Sequence, residues 1–131
     1  MFSKVIKFYL QIVFFFLISC QGNFSKVKEA SFDDFYNSKM NKILIDVRTP
    51  EEFEKGRALN SINLNFYDQK FKDEILKNTK ENQIYIYCRS GRRSEIATKY
   101  LNENGFTNVF NIKSGIIKID SHYLDFSPLN N

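Results

Sequence analysis

Residues 84–94, with the sequence IYIYCRSGRRS, combine an apolar run, a turn that contains glycine, and the start of an amphipathic segment. The run at 84–87 is rich in β-branched and aromatic side chains, which is typical of a buried strand. From Ser94 to Asn104 the apolar residues recur at helical spacing, and Gly105 follows as a natural terminator. The stretch therefore predicts a strand, a short loop headed by Cys88, and a helix.

A second strand and helix precede this stretch. Residues 43–47 (ILIDV) form a short apolar run that fits a strand buried on both faces. Residues 49–52 (TPEE) then offer a threonine cap, a proline at the first helical position and a glutamate that completes a capping box. The sequence predicts a short helix here that ends near Gly56.

The remaining segments continue the alternation of strand and helix. We predict a helix start at Ser31, strands at 61–66 and 106–112, a helix within 68–78, and a further helix that begins at Ser114. This order predicts an α/β domain with a central, mainly parallel sheet and helices on both faces. Reactive groups of such sheets lie at the carboxyl ends of strands, where both Cys88 and residues 46–48 are expected.

The amino-terminal residues have the composition of an export signal. Lys4 and Lys7 precede the apolar run at 12–18, which is short for a membrane span but suits a signal core. Residues 17–20 (LISC) resemble the bacterial lipobox. The resemblance implies a signal peptide at 1–19 and a mature chain that is lipid-anchored through Cys20.

These features predict three parts and a location. Residues 1–19 are the signal peptide, 20–30 a polar tether, and 31–126 the folded domain. We expect the protein in a bacterial cell envelope, anchored to the inner or outer membrane, with the domain facing the periplasm. Two alternatives stay open: an uncleaved membrane anchor, or a simple signal peptide in which Cys20 is incidental.

Length and charge limit the function classes. The 131 residues suffice for one compact domain, and the formal net charge is +4. Removal of Lys4 and Lys7 leaves 17 basic residues against 15 acidic ones, a balance of +2. No basic stripe alternates with aromatic residues, so a nucleic-acid partner is not expected. The basic cluster of the chain is Arg89, Arg92 and Arg93, beside Cys88.

The loop after Cys88 predicts an anion site. Cys88 is the sole thiol if Cys20 carries lipid. A turn between strand and helix can direct its N–H groups to one point, and the helix adds its positive end. Gly91 permits a backbone angle that other residues resist. Such a cradle lowers a thiol pKa and then holds an anionic substrate. The expected substrate-binding residues are Arg89, Ser90, Gly91, Arg92 and Arg93.

Each of these residues also has a structural interpretation. Cys88 could be an inert buried residue, and the arginines could be a solvated surface, with Arg93 the leading candidate for function. Asp46 could support a loop arginine or cap its own strand, and Arg48 is expected to pair with Glu51 or Glu52. Together with Ser94, Asp46 and Arg48 are predicted to support the loop from outside. No cluster has metal-ligand spacing, and His122 has no assigned role.

Three segments together resemble the rhodanese family. They are residues 45–53 (IDVRTPEEF), residues 88–94 (CRSGRRS), and residues 105–109 followed by 114–116. Their order and spacing are specific, although each alone is weak. The resemblance spans about residues 32–119. It implies the rhodanese-like three-layer fold and a thiosulfate sulfurtransferase type of active loop.

The resemblance also implies a reaction. Cys88 would take a sulfane sulfur from a small anionic donor such as thiosulfate and pass the persulfide sulfur to cyanide or a thiol. No metal or organic cofactor is implied. The chain departs from the family at residues 56–58 (GRA), 60–61 (NS) and 114–116 (SGI), and it has no tryptophan. These departures affect packing and lie outside the cysteine loop.

Two other functions remain open. Phosphatases of this fold separate cysteine and arginine by five residues, whereas four separate Cys88 from Arg93 here. The shorter loop suits sulfur better than a phosphoryl group. A non-catalytic sulfur carrier or binding module would need the same thiol, so only steady-state turnover separates it from an enzyme.

Overall fold

The computed structural model describes residues 26–78 and 80–129. The predicted signal peptide, Cys20 and the first part of the predicted tether lie outside the described residues. None of the helices within the described part of the chain combines the length and apolar character that a membrane crossing requires.

The strands are β1 Lys28–Ala30, β2 Lys42–Asp46, β3 Arg57–Ala58, β4 Ser61–Asn63, β5 Gln83–Tyr87, β6 Val109–Ile112 and β7 Leu124–Asp125. Five of them form a central parallel sheet, in the order β1-β6-β5-β2-β4. A separate antiparallel pair joins β3 to β7. The helices are α1 Phe32–Asn37, α2 Pro50–Glu54, α3 Phe71–Ile75 and α4 Arg92–Glu103, with 3-10 turns at Ile116–Lys118 and Ser121–Tyr123. The predicted α/β class and mainly parallel sheet are confirmed.

Helices cover both faces of the sheet because its strands are apolar on both sides. On β5, the side chains of Ile84 and Ile86 pack into one core cluster, which also holds residues of α3 and α4. The alternate side chains, Tyr85 and Tyr87, pack into a second cluster with Phe32 of α1. The alternation places Cys88, the next residue after β5, on the same side as α4.

The predicted capping box at Thr49 and the predicted helix start at Ser31 are both confirmed, and Ser31 forms a capping box as well. The Ser31 hydroxyl accepts from the backbone N–H of Asp34, and the Asp34 carboxylate accepts from the backbone N–H of Ser31. Thr49 and Glu52 exchange the same pair of hydrogen bonds at the start of α2. Local sequence therefore fixes where these short helices begin.

The boundaries of other elements differ from the predictions. Residues 28–30, assigned to the tether, form edge strand β1 beside β6, so they belong to the folded domain. Strand β4 and helix α3 are shorter than predicted, the last sheet strand begins at Val109, and α4 begins two residues before Ser94. The tail after Ser114 forms two 3-10 turns instead of an α-helix.

Candidate active site

Cys88 lies directly after the carboxyl end of β5, at the head of the loop that leads into α4. Only 1% of the residue is exposed, and its side chain belongs to the core cluster that contains Ala97 of α4. Burial in apolar surroundings alone would favour the neutral thiol and the interpretation of an inert cysteine. The hydrogen bonds at the sulfur decide between the two interpretations.

Polar groups of the loop converge on this sulfur. The backbone N–H of Gly91 donates to Cys88 Sγ at 3.1 Å, and the Ser94 hydroxyl lies 3.6 Å from it. Burial is the largest single influence and raises the pKa of the Cys88 thiol. It is outweighed by hydrogen bonds from the backbone and hydroxyl of Ser94 and from the backbone of Ser90 and Gly91, so the pKa is lowered overall. The geometry favours a thiolate over an inert thiol.

Gly91 is the residue that lets the loop close over the sulfur. Its φ of 91° lies in the left-handed region, and it is the residue that precedes α4. A Cβ at this position would overlap the backbone carbonyl of Lys113. Gly91 is thus required both by its backbone angle and by the close approach of the neighbouring segment.

The segment after β6 supports the loop from the other side. The backbone N–H of Ile116 donates to the carbonyl of Cys88 at 2.9 Å. A Cβ on Gly115 would overlap the carbonyl of Arg89, so this contact is between two backbones. This close packing gives a physical reason why the motif at residues 114–116 occurs in the same chain as the cysteine loop.

Asn111 of β6 also contacts the loop, and no sequence pattern predicted this contact. Its side-chain amide donates to the carbonyl of Gly91 at 3.3 Å, and the residue is 2% exposed. The signal in the sequence was a single amide within the apolar strand VFNI. That signal alone cannot show which loop the amide contacts, because the answer depends on sheet order.

Arg93 is held by Glu52. Its two terminal nitrogens donate to the two carboxylate oxygens at 2.8 and 2.9 Å. The hydrogen bond from Arg93 is the main cause that lowers the pKa of Glu52 to about 2, and the backbone N–H of Thr49 adds to it. The same carboxylate raises the pKa of Arg93. Arg93 also lies over the ring of Tyr67, 5.7 Å from its centroid.

The other two loop arginines point outward. Arg89 and Arg92 are exposed, and neither forms a salt bridge within the described part of the chain. The structure therefore divides the basic cluster into one oriented arginine, Arg93, and two solvated ones.

Asp46 and Arg48 form a closed pair with each other. Arg48 donates to the Asp46 carboxylate at 2.6 Å and to the carbonyl of Gly56 at 2.8 Å, and both residues are buried. The prediction that Arg48 pairs with Glu51 or Glu52 is wrong, and Asp46 is not the partner of a loop arginine. The pair forms because the chain turns directly after β2 and brings residues two apart together. It stabilises the turn at the end of the strand next to β5.

Within residues 26–78 and 80–129, no group of three or more His, Cys, Asp or Glu side chains is arranged to hold a metal ion. His122 pairs with Asp120 in an exposed 3-10 turn. Neither residue takes part in the contacts around Cys88 described above.

Comparison with known proteins gives consistent matches. The family model for the rhodanese-like domain matches residues 30–122. A tRNA uridine(34) hydroxylase of Buchnera aphidicola is 40% identical over 60% of this chain and 26% of its own length. A Candida albicans protein named adenylyltransferase and sulfurtransferase is 35% identical over 71% of this chain and 23% of its own. The chain thus spans about a quarter of the length of these two relatives.

The fold has matches among solved structures. A rhodanese-like domain protein from Staphylococcus aureus superposes with a TM-score of 0.64 at 26% identity, covering 77% of this chain and 99% of that one. A rhodanese-related protein from Thermoplasma volcanium gives the same TM-score at 24% identity. The central sheet and its helical layers are therefore shared across the length of those domains.

Proposed function

Since the chain belongs to the rhodanese-like domain family, we propose that it is a sulfurtransferase that carries sulfur as a persulfide on Cys88. The observation that supports this most directly is the convergence of the Gly91 N–H and the Ser94 hydroxyl on the buried sulfur. These groups favour the thiolate, the form of cysteine that attacks sulfur. The Candida albicans relative, which is named a sulfurtransferase, adds support for the same chemistry.

The proposed reaction has two displacement steps. In the first, the Cys88 thiolate attacks the outer sulfur of thiosulfate, the sulfur–sulfur bond of the donor breaks, and sulfite leaves with the electron pair. In the second, cyanide or an acceptor thiolate attacks the terminal sulfur of the persulfide. The Cys88 thiolate is then regenerated, and no external oxidant or reductant is needed.

The loop suits both anions of the proposed reaction, the Cys88 thiolate and the persulfide. The backbone N–H groups that face the thiolate are available to the persulfide, which carries the same charge one atom further out. Arg89 and Arg92 are exposed at the rim, where they can attract an anionic donor by long-range electrostatics. Arg93, fixed by Glu52, contributes a positive charge of set position.

Intact-mass measurement tests the proposal. The Cys20→Ser chain keeps Cys88 as its only thiol. After treatment with thiosulfate and removal of small molecules, we expect a gain of one sulfur atom, which cyanide removes. The matched Cys88→Ser chain should stay folded, gain no sulfur and show no sulfur transfer. Full transfer activity in that variant would disprove the persulfide mechanism.

Turnover assays separate two other functions from the proposed one. A sulfur carrier would gain one sulfur but release no product in steady state without its partner, whereas an enzyme turns over. A phosphatase would use Arg93 to hold a phosphoryl group, but Arg93 is committed to Glu52. Phosphate-ester turnover together with inactivity toward thiosulfate would favour a phosphatase over a sulfurtransferase.

We do not extend the tRNA uridine(34) hydroxylase activity, which is in the name of one relative, to this chain. The chain covers only 26% of that protein from Buchnera aphidicola. The shared part supports a common cysteine chemistry and carries no argument for the rest of the reaction.

We also propose that the mature protein is a lipoprotein of the bacterial envelope, with its lipid on Cys20. The support is the charged start, the apolar core and the small residue before Cys20. Expression in a bacterium fed an alkyne fatty acid should label the wild-type chain and place it in the membrane fraction. The Cys20→Ser chain should be unlabelled. Equal labelling of both chains would exclude Cys20 as the acceptor.

A further inference from the structure

The carbonyl oxygen of Gly91 is approached by three hydrogen-bond donors. The backbone N–H of Glu95 lies 3.0 Å away, the Ser94 hydroxyl 3.1 Å away, and the Asn111 amide 3.3 Å away. A carbonyl oxygen has two lone pairs, so two donors satisfy it. The third donor at this oxygen is in excess.

Ser94 is the one donor of the three with another acceptor within reach. Its hydroxyl carries a single proton, and its oxygen lies 3.1 Å from the Gly91 carbonyl and 3.6 Å from Cys88 Sγ. The proton can therefore serve the carbonyl or the sulfur, but not both. Occupation of the carbonyl by the other two donors leaves the sulfur as the open acceptor.

Asn111 reduces the stability of the fold at its position. It is 2% exposed on β6, and its side-chain oxygen Oδ1 is buried and has no hydrogen-bond partner among the residues that the structure describes. An unsatisfied buried acceptor destabilises the fold, and an apolar side chain on this strand would avoid the penalty. The amide must turn its nitrogen to Gly91 to make its one hydrogen bond, which forces the oxygen away from that carbonyl. The arrangement points to a role for the amide beyond packing.

We propose that Asn111 is a positioning residue: by occupying the Gly91 carbonyl together with Glu95 N–H, its amide keeps the Ser94 hydroxyl directed at the Cys88 sulfur. This role rests on the proposed function only in that Cys88 is the reacting thiol. Asn111 does not touch the sulfur itself and acts through Ser94. The lowered pKa of the Cys88 thiol, to which the Ser94 hydroxyl contributes after burial and the Ser94 backbone, agrees with this arrangement.

A double-mutant cycle tests the proposal in the full-length Cys20→Ser chain. The thiol pKa of Cys88 is measured from the ultraviolet absorbance of the thiolate against pH, with a Cys88→Ser chain as the blank. Asn111→Leu should raise the thiol pKa by about one unit, since it frees the carbonyl to take the Ser94 proton. Ser94→Ala should raise it by a similar amount. Adding Asn111→Leu to Ser94→Ala should then change it little.

The cycle separates this role from a merely structural one. An equal rise in both backgrounds, or an unchanged thiol pKa in folded Asn111→Leu, would overturn the proposal. If Asn111→Leu does not fold, Asn111→Val removes the same donor with a smaller side chain. The titration does not require sulfur transfer, so it can fail or succeed independently of the proposed reaction. The charged groups near the sulfur, Arg93 and Glu52, are unchanged throughout.

Asn63 provides the matched control. It is a side-chain amide on β4, at the other side of the same sheet, and it donates to the backbone carbonyls of Asp46 and Arg48 at 3.0 and 2.9 Å. Asn63→Leu removes comparable hydrogen bonds from another turn, which also lies at the carboxyl ends of the strands. We expect it to lower thermal stability and to leave the thiol pKa of Cys88 unchanged. A rise equal to that of Asn111→Leu would show that any loosened turn has this effect and would contradict the proposal.

Discussion

Glu52 and Arg93 join the helix after β2 to the helix after β5 through two parallel hydrogen bonds of 2.8 and 2.9 Å. Glu52 is itself fixed by the capping box of α2, because the backbone N–H of Thr49 donates to the same carboxylate oxygen that Arg93 Nη1 contacts. A bidentate pair of this kind sets both the position and the charge of the arginine. The two helices thus cooperate to place one guanidinium group beside the cysteine loop and to offset its charge.

Glu52→Gln should strengthen the binding of anionic donors. Glutamine can keep the capping box and one hydrogen bond to Arg93, but it no longer offsets the arginine's charge. We expect the KM for thiosulfate to fall by about threefold to tenfold in steady-state kinetics at low salt. Glu51→Gln is the control, since Glu51 is exposed on the same helix and the change in net charge is equal. The same fall in both variants would assign the effect to overall charge.

The pair also predicts a pH dependence of stability. The hydrogen bond from Arg93 lowers the pKa of Glu52 from its ordinary 4.5 to about 2. Because the pKa is depressed in the folded chain, the stabilisation is complete above pH 4.5 and is lost as the pH falls toward 2. After solvent screening it amounts to about 1–2 kcal/mol. Urea unfolding at several pH values should show that Glu52→Gln loses this part of the wild-type pH dependence. Parallel curves for the two chains across this window would contradict it.

Local sequence predicted those parts of the site that are contiguous in the chain. The strand, the cysteine loop and the helix follow one another at 83–103, and a capping box needs only four residues. The pairs Glu52–Arg93 and Gly91–Asn111 could not be predicted in this way, because they depend on which strands are neighbours. Strand β1 escaped notice for a related reason. Three residues on a sheet edge are too few to show periodicity, and their pairing with β6 fixes them.

Arg93→Ala should raise the thiol pKa of Cys88 and weaken the binding of anionic donors. The change removes a positive charge that interacts electrostatically with Cys88. It also leaves the Glu52 carboxylate without Arg93 as its partner, and both effects disfavour an anion. We expect a rise of about one pKa unit and a fall of about tenfold in kcat/KM for thiosulfate. The measurements are the ultraviolet titration of the thiolate and steady-state kinetics. Arg92→Ala, which removes the exposed arginine next to Arg93 at the start of α4, should change the thiol pKa much less. Equal shifts in the two variants would mean that the fixed position of Arg93 is irrelevant.

Gly91→Ala should damage both the fold and the sulfur site. Alanine disfavours the φ of 91°, and its Cβ would overlap the carbonyl of Lys113, a backbone group that cannot rotate away. We expect a loss of about 2–4 kcal/mol in the free energy of unfolding, measured by urea denaturation, and a slower reaction of Cys88 with thiosulfate. Gly105→Ala is the control, because its φ of 84° is similar but its Cβ would meet only the end of the Lys80 side chain at 3.2 Å. That variant should lose about 1 kcal/mol and keep its sulfur chemistry. If both variants lost equal stability and activity, the close contact between the cysteine loop and the segment after β6 would not be what shapes the site.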